Sequence, residues 1–411
     1  MLFAASALFL VIRNGISNSA TLTKDVASDA LARLPSHATA PIERLAELGW
    51  TVTPQPDKLQ FSITGPNLPD MALSASLFNT LDRPFTLQLQ QLNSLAGLHL
   101  LSDNHQCTEI GIGASEFTDT AELGGFTNLT KLVISQTPLN GKGVLDASPL
   151  GKLVNLRVLV LNSSRVKDVT FASSLVNLET LNLGETLVTD ISAVSALSKL
   201  VSFDVRGTRV TDLRPLRQSL ALRELEIGGA QTLSLTNLSH LDGLKQLRVI
   251  EQGDVDLSTI SSLVTLERIF LWGPLHVDAN VLRPLKALKD LQISGFGFQQ
   301  IATTVVNAQA IAELKNLNTL TLGSLRLDTF DFLGSLMSLT TLNLNELPLN
   351  SIEPVRKLQA LKSISLTSIP VVDITPLVDL PALEEVRIMR TPARSDAVSA
   401  LERRGVKVIV Y

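Results

Sequence analysis

Leucine recurs along this chain at a fixed spacing, and this spacing restricts the fold more than any other feature. The first apolar residue of a Leu-x-x-Leu-x-Leu pattern stays in phase, at intervals of 27 residues, six times 22, 29, and three times 22. These residues are Leu129, Leu156, Leu178, Leu200, Leu222, Leu244, Leu266, Leu288, Leu317, Leu339, Leu361 and Leu383. Such a period indicates an array of units that contact only their neighbours, rather than two or three separate globular domains.

The alternating apolar pairs continue beyond these leucines at both ends. The outlying pairs are Phe61/Ile63, Leu87/Leu89, Ile110/Ile112 and Val408/Val410. We therefore predict up to sixteen short strands, each with alternate residues pointing inward. The strands are expected to form a parallel sheet on the concave side. Each unit then returns along the convex side as a short helix or an irregular segment.

An open end of such an array exposes its apolar core, so both ends need caps. Residues 21–60 are predicted to form a helical N-terminal cap, with helices over residues 22–34 and 41–48. Repeats are predicted over residues 61–394. Residues 395–411 are expected to close the array with a helix at 395–404 and a strand at 406–411, and we expect no further domain after them.

The second half of each unit is also regular. It reads Thr-Leu-Val-Thr-Asp-Ile at residues 186–191, Thr-Arg-Val-Thr-Asp-Leu-Arg-Pro-Leu at 208–216 and Val-Asp-Ile-Thr-Pro-Leu at 372–377. From residue 61 to the end, the sequence resembles the leucine-rich repeat family, in its bacterial, internalin-like 22-residue subclass. The resemblance implies an α/β solenoid: a right-handed superhelix, or horseshoe, with a parallel concave sheet. It also implies a scaffold for protein–protein interaction rather than an enzyme.

The sequence departs from that subclass after each strand, where asparagine is usual. Hydroxyl residues stand there early in the array and apolar residues later: Thr137, Ser164, Thr186 and Thr208, then Leu325, Leu347 and Ile369. We expect the hydroxyls to replace the hydrogen bonds of asparagine to the turning backbone. In the later units, the backbone groups must bond to other backbone groups or to water.

The first twelve residues are almost all apolar and are followed by Arg13 and a polar stretch. The run is too short to span a bilayer comfortably but matches the apolar core of a secretion signal, although no basic segment precedes it. Residues 1–20 are predicted to be a signal peptide or the remnant of an anchor. This predicts an exported protein that is secreted, periplasmic or anchored at its N-terminus. If residues 1–12 are instead an ordinary helix, the protein is cytoplasmic.

Charge and motif content exclude several function classes. The formal net charge is −4, which is unsuited to binding a phosphate backbone, so we expect no nucleic-acid partner. The single cysteine, Cys107, excludes an internal disulfide and a thiolate zinc cluster. No motif of a metalloprotease, serine hydrolase or phosphate-binding loop is present, and His105 beside Cys107 is interpreted as structural. We predict no enzyme activity, no cofactor and no metal.

Acidic residues form a column on the return segments. Its members are Asp168, Asp190, Asp212, Asp256, Asp278 and, after the phase shift, Asp373, with Ser234 in the gap. A carboxylate column suggests calcium, but each unit lacks the several oxygen ligands that calcium needs. We interpret these residues as caps at the start of a helical turn.

Outward-facing residues of the strands are the best candidates for function. Counting along the pattern places Phe270 and Trp272 on the concave surface of one strand, with Ile250 on its neighbour. Charged residues surround them, so the predicted partner-binding residues are Phe270, Trp272, Arg248, Ile250, Arg268, Glu226, Asp290 and Arg206. An aromatic centre with a charged rim is typical of an interface. The alternative is that the rings lie flat over the strands and only shield the sheet.

Bare backbone at Gly184, Gly228 and Gly323 either admits a partner or relieves crowding. Two longer units break the period, at residues 137–143 and 295–312. The second follows the aromatic strands, so Phe296 and Phe298 are candidates to extend their surface. The alternative for this unit is a lengthened convex helix.

The sequence therefore predicts a monomeric binding scaffold for a protein or peptide, with membrane contact only through the N-terminal segment. A glycan is an alternative ligand, since stacked aromatic rings also hold sugars. Two further alternatives are a structural protein of the cell envelope and a secreted effector with unrecognised chemistry before residue 61.

Overall fold

The structure is a computed structural model that describes residues 36–135, 144, 146–229, 235–250, 255–296 and 303–411. A seventeen-stranded sheet runs through these residues, and a second sheet has three strands. The strands of the long sheet are β1 (Thr51–Pro54), β2 (Leu59–Thr64), β3 (Phe85–Gln90), β4 (Cys107–Gly113), β5 (Lys131–Ser135), β6 (Val158–Val160), β7 (Thr180–Asn182), β8 (Ser202–Asp204), β9 (Glu224–Ile227), β10 (Gln246–Ile250), β11 (Arg268–Trp272), β13 (Asp290–Ser294), β15 (Thr319–Gly323), β17 (Thr341–Asn345), β18 (Ser363–Thr367), β19 (Glu385–Met389) and β20 (Lys407–Val410). The small sheet contains β12 (His276–Asp278), β14 (Thr303–Val306) and β16 (Leu325–Leu327).

From β2 onward, each strand of the long sheet pairs in parallel with the next one along the array. In β10 and β11, for example, Leu247 lies opposite Ile269 and Arg248 opposite Phe270. Leu247 and Ile269 are fully buried, whereas the residues that alternate with the buried ones along each strand, such as Arg248 and Phe270, remain partly exposed. A slip of one residue would turn every leucine to solvent, so the apolar pattern sets this register. The predicted sixteen parallel strands and the solenoid fold are confirmed.

The return segments are short 3₁₀ helices. Those described are Leu98–Leu101, Ala121–Leu123, Ser148–Lys152, Thr170–Ser174, Ser192–Ala196, Arg214–Gln218, Thr236–Leu238, Ser258–Ser262, Ala279–Leu282, Ala308–Glu313, Asp331–Ser335, Glu353–Lys357 and Thr375–Leu377. The α-helices in the same part of the chain are α1 (Ser36–Glu47), α2 (Met71–Phe78) and α3 (Ser395–Arg403). A unit of 22 residues leaves room for little more than one turn on the convex side.

The aspartates of the column bond to the backbone at the start of these helices: Asp278 is the N-cap residue, as predicted, and the other five stand one residue before the N-cap. Asp168 Oδ1 accepts a hydrogen bond from Thr170 N at 2.8 Å, and Asp212 Oδ1 accepts one from Arg214 N at 2.9 Å. The same bond is formed by Asp190, Asp256, Asp278 and Asp373. The bonds from Thr170 stabilise the charged form and lower the pKa of Asp168. Ser234 lies outside the described residues.

Hydroxyl residues after the early strands bond to the turning backbone, which confirms that prediction. Thr186 Oγ1 donates to Leu183 O, and Thr208 Oγ1 donates to Val205 O, both at 2.6 Å. Ser164 Oγ does the same to Leu161 O at 2.7 Å.

In the later units, the corresponding residues Leu325, Leu347 and Ile369 are buried among apolar neighbours. Backbone groups bond to each other there: Glu346 N donates to Thr367 O, and Ser368 N donates to Met389 O, each at 2.8 Å. Thr137 lies outside the described residues.

The N-terminal end differs from the helical cap that the sequence predicts. Helix α1 lies over the predicted 41–48 segment, but residues 51–54 form β1, which pairs antiparallel with β2. The apolar alternation in this hairpin is too short to distinguish from a helix by sequence. Trp50, just before the hairpin, packs on Phe61 of β2 and Phe78 of α2, and these aromatic contacts cover the end of the array. The helix predicted over 22–34 lies outside the described residues, whereas α3 and β20 lie where a helix and a strand were expected.

The second longer unit does not form a lengthened convex helix alone. Residues 303–306 form β14, which lies between β12 and β16 in the small sheet, and a six-residue 3₁₀ helix follows at Ala308–Glu313. The additional residues are thus used partly for a second, parallel sheet. The first longer unit, at residues 137–143, lies outside the described residues.

Candidate functional site

The eight predicted partner-binding residues lie on neighbouring strands or just beyond them. Strand β9 carries Glu226, β10 carries Arg248 and Ile250, β11 carries Arg268, Phe270 and Trp272, β13 carries Asp290, and Arg206 follows β8. In the sheet register, Glu226 lies opposite Arg248, which lies opposite Phe270. The structure therefore brings all eight residues to one stretch of the outward surface.

The centre of this stretch is an aromatic patch, defined here as Ile250, Phe270, Trp272 and Phe296. The Trp272 and Phe296 rings meet edge to face, with centroids 5.4 Å apart. Trp272 Nε1 donates to Gly295 O at 3.3 Å, which satisfies the polar edge of a partly buried indole. Phe296 is 38% exposed, so the second longer unit does extend the patch. Phe298 lies outside the described residues.

Beside the patch lies a charge cluster, defined here as Asp204, Arg206, Glu226 and Arg248. Arg206 Nε lies 3.1 Å from Asp204 Oδ2, and Arg206 Nη1 lies 3.3 Å from Glu226 Oε2. Arg248 Nη1 lies 3.6 Å from that same Glu226 oxygen. The Arg248 guanidinium carbon also lies 4.8 Å from the centroid of the Phe270 ring, a cation–π contact that joins the cluster to the patch.

Hydrogen bonding within the charge cluster is incomplete. The buried atoms Arg206 Nε, Arg248 Nε and Glu226 Oε2 have no hydrogen-bond partner, because the ion pairs are close but not aligned. A buried donor or acceptor without an aligned hydrogen-bond partner costs free energy of folding. A binding partner that supplies the missing hydrogen bonds recovers part of that free energy. This stretch of the sheet is therefore stabilised less than its ion pairs alone suggest.

Asp204 is the residue of the cluster that the predicted site omitted. The residue is only 6% exposed, and burial together with nearby Glu226 raises its pKa to about 6 despite Arg206 and Arg248. The sequence does carry a signal, since Asp204 alternates with Arg206 and occupies an outward position of its strand. Its burial depends on neighbouring strands and is not visible in that pattern.

The rim of the patch is formed by Arg268 and Asp290. Arg268 Nε donates to Gln246 Oε1 at 2.8 Å, and its Nη2 lies 3.9 Å from Glu224 Oε1. Burial raises the pKa of Asp290, against the opposing effect of Arg268. These contacts hold Arg268 over β9 and β10 on the same outward surface as the charge cluster.

Of the glycines that the sequence singled out, Gly228 has a neighbour too close for a side chain, and Gly184 has one in tight contact. A Cβ atom on Gly228, whose φ is +135°, would lie 1.7 Å from Ile250 O. A Cβ atom on Gly184 would lie 3.1 Å from Asp204 Oδ2. These glycines therefore relieve crowding between strands rather than leave open space for a partner.

The outward surface changes character after β13. Apart from Asp290 at the start of β13 and Gly323 at the end of β15, its residues on β13, β15, β17 and β18 carry hydroxyl or amide groups and no charge. This uncharged strip consists of Gln292, Ser294, Thr321, Asn343, Asn345, Ser365 and Thr367, all partly buried. Within it, Asn343 Nδ2 donates to Thr321 Oγ1 at 3.0 Å, which links neighbouring strands.

Other chemistry in the described residues is sparse. Cys107 is buried, which raises the pKa of its thiol and disfavours the reactive thiolate, and His105 contacts Asn128 instead. No group of three or more His, Cys, Asp or Glu side chains in the described ranges is arranged to hold a metal ion. Among the helices in those ranges, none has the length and apolar character needed to cross a bilayer.

Comparisons with known proteins agree with the geometry. No curated protein matches the sequence. An internalin from Listeria monocytogenes has a similar fold, with a TM-score of 0.61 and 21% identity, over 74% of this chain and 86% of that chain. A leucine-rich repeat protein from Leptospira interrogans is similar with a TM-score of 0.60 and 17% identity, over 84% of this chain and 93% of that one. The family model described as a leucine-rich repeat region matches residues 110–389, and the chain therefore belongs to the leucine-rich repeat family.

Proposed function

We propose that this protein is a non-enzymatic binding scaffold that captures a protein or peptide partner on its concave face. The aromatic patch is the centre of the contact, and the charge cluster with Arg268 and Asp290 forms its border. The rigid sheet holds these side chains in place before the partner arrives, which lowers the ordering cost of binding.

The observation that carries this proposal is the exposed aromatic patch between strands, β9 and β13, whose outward residues are polar or charged. Phe296 is 38% exposed and its ring contacts the ring of Trp272. The Arg248 guanidinium lies over the ring of Phe270. Aromatic residues and arginine at the centre of a polar surface are the residue types that contribute most to protein interfaces. The uncharged strip has no comparable centre.

The test is capture of the partner by wild type and by a Phe270→Ala/Trp272→Ala variant. A photo-crosslinking residue at position 250 records contact at the patch itself, and mass spectrometry identifies the captured protein. Loss of two central aromatic side chains should weaken the affinity by at least about thirtyfold. The free energy of unfolding should change by less than about 1 kcal/mol, because both side chains are partly exposed.

A matched control removes exposed apolar side chains elsewhere. Leu220 is 66% exposed and Val264 is 54% exposed, and both follow 3₁₀ helices of the return segments. The Leu220→Ala/Val264→Ala variant should capture the partner like wild type. Equal capture by the double-aromatic variant and by wild type would refute binding at the patch.

A glycan is the second candidate ligand, favoured by the uncharged strip next to Trp272. Hydroxyl and amide groups in rows suit the hydroxyls of a sugar chain, and an indole offers a stacking face. A glycan array discriminates the two: selective binding that requires Trp272 and Thr321 supports a glycan, whereas protein capture without glycan binding refutes it.

We also propose that the protein is exported by a bacterial cell, on the strength of the apolar segment at residues 1–12. Sequencing the N-terminus of the mature protein tests this. A start after residue 20 supports a cleaved signal, and an intact N-terminus in the cytoplasmic fraction refutes export.

A further inference from the structure

The charge cluster is balanced internally when all its groups are ionised. Two carboxylates, Asp204 and Glu226, face two guanidinium groups, Arg206 and Arg248, so the formal charges sum to zero. In this state, the cluster offers a partner no net charge.

The carboxyl group of Asp204 is surrounded by side chains from the strands on both sides of it. The residues just after its own strand contribute Arg206, β9 contributes Glu226, and β10 contributes Arg248. On the other side lie Asn182, at the end of β7, and Gly184 just after it, and neither carries a charge. Gly184 N already donates to Asn182 Oδ1 at 2.8 Å.

One other acidic residue borders this group. Glu224, on β9, accepts from Ser202 Oγ at 3.3 Å and lies 3.9 Å from Arg268 Nη2. Its nearest cation is therefore Arg268 and not a member of the charge cluster.

A single carboxylate oxygen serves both arginines. Glu226 Oε2 lies 3.3 Å from Arg206 Nη1 and 3.6 Å from Arg248 Nη1, and it is aligned with neither. If Asp204 becomes neutral, two guanidinium groups share Glu226 alone. The excess positive charge then lies beside Phe270, because Arg248 packs on that ring.

We propose that the charge cluster is a proton-operated anchor: proton uptake by Asp204 leaves Arg206 and Arg248 with one shared carboxylate, and a carboxylate of the bound protein or peptide then completes their pairing. This proposal rests on the proposed function, since it concerns the same concave site. It assigns the partner an acidic side chain next to the apolar group that packs on the patch.

Two observations support the anchor beyond the ion pairs. The pKa of Asp204, raised to about 6 mainly by burial, puts proton uptake between neutral and mildly acidic pH. The three buried atoms without hydrogen bonds belong to the residues that would rearrange, so a partner carboxylate replaces unmade bonds rather than good ones.

The test uses three fluorescein-labelled peptides with the same leucine and tyrosine positions and with glutamates, glutamines or lysines between them. Fluorescence anisotropy gives their affinities on either side of the Asp204 pKa of about 6. Wild type should bind the glutamate peptide about tenfold more tightly on the acidic side, a coupling of ordinary size. The glutamine peptide should show no such gain, and the lysine peptide should bind more weakly on the acidic side.

Variants assign the effect to the cluster. Asp204→Asn mimics the protonated residue, so it should bind the glutamate peptide with the acidic affinity at both pH values. Arg206→Gln should lose the gain. Glu385→Gln is the matched control, because Glu385 is also paired on the outward surface, with Arg387 and Lys407, far from the patch. It should behave like wild type.

A readout without ligand accompanies the binding data. The carboxyl carbon signal of Asp204 should titrate with a midpoint near the value of about 6. A midpoint near the ordinary aspartate value of about 3.9, or the absence of the acid-dependent gain, overturns the anchor.

The outcomes also separate the anchor from the proposed function. Equal affinity at both pH values, with loss of affinity in Phe270→Ala/Trp272→Ala, overturns the anchor and leaves the binding function standing. An intact acid-dependent gain in that double variant supports the anchor and counts against the aromatic patch as the centre of binding.

Discussion

Two halves of the concave face are built on the same interior and carry different chemistry. In the first, strands β8 to β11 present charges and aromatic rings, and in the second, strands β15, β17 and β18 present hydroxyl and amide groups. Beneath both, the inward residues are leucines and similar apolar side chains, of which Leu247 in β10 and Leu342 in β17 are fully buried. Alternation along each strand therefore separates the residues that hold the fold from those that a partner meets, so one face varies without disturbing the other.

These two regions, called halves below, also differ in how completely their outward polar groups are hydrogen-bonded. In the uncharged strip, Asn343 donates to Thr321 in ordinary hydrogen-bond geometry. In the charge cluster, atoms of Arg206, Glu226 and Arg248 are buried without hydrogen bonds. Of these two regions, the one beside the exposed aromatic rings has the less complete hydrogen bonding. Buried polar groups without partners are expected of a surface that binds a partner rather than of one that only holds the fold.

The largest expected effect tests whether the interior is equivalent in the two halves. Leu247→Ala and Leu342→Ala should each lower the free energy of unfolding by about 2–5 kcal/mol, because each removes a fully buried side chain and leaves a cavity. Urea denaturation followed by circular dichroism measures both. A lowered free energy of unfolding in only one of the two variants would show that the interiors are not equivalent.

A smaller effect is expected from the glycines of the two halves. Gly228→Ala should cost about 2–3 kcal/mol, because its φ is +135° and the new Cβ would meet Ile250 O at 1.7 Å. Gly323→Ala should cost less than about 1 kcal/mol, since its Cβ would lie 3.1 Å from the movable Ser294 Oγ. The same denaturation experiment compares them, and equal costs would contradict the close approach of β10 to Gly228.

The smallest expected effect concerns pH. Because the folded-state pKa of Asp204 is raised to about 6, its contribution to stability is fully present below the unfolded pKa of about 3.9 and is lost as the pH rises through 6. At neutral pH, Asp204→Asn should therefore raise the free energy of unfolding by about 1–2 kcal/mol, below the limit set by the full pKa shift.

The difference between this variant and wild type should shrink as the pH falls from about 6 to about 4. Thermal unfolding over that range measures it. Asn343→Ser, at the equivalent position of the uncharged strip, is the control and should differ from wild type by the same amount at every pH. A constant difference for Asp204→Asn would contradict the raised pKa.

Much of this architecture is readable from the sequence, because the repeat makes each unit inform the others. The outward assignment of Phe270 and Trp272 follows from counting, and so does the position of Asp168 at the start of a helix, where it bonds to Thr170 N. The hairpin of β1 and β2 is not readable, since a short antiparallel pair has no counterpart elsewhere in the array. The small sheet was also missed, because β14 lies in a unit that breaks the period.

The sequence by itself determined the number of parallel strands, their register and which side chains face inward, since a period of 22 residues and alternation along a strand leave no other arrangement that buries the leucines. Only the tertiary structure decided that Asp204 is buried, that Glu226 is shared by two arginines and that Trp272 meets Phe296. These features depend on distances between side chains of different units. A repeat pattern states where each side chain begins, but packing against its neighbours decides where its charged or aromatic end lies.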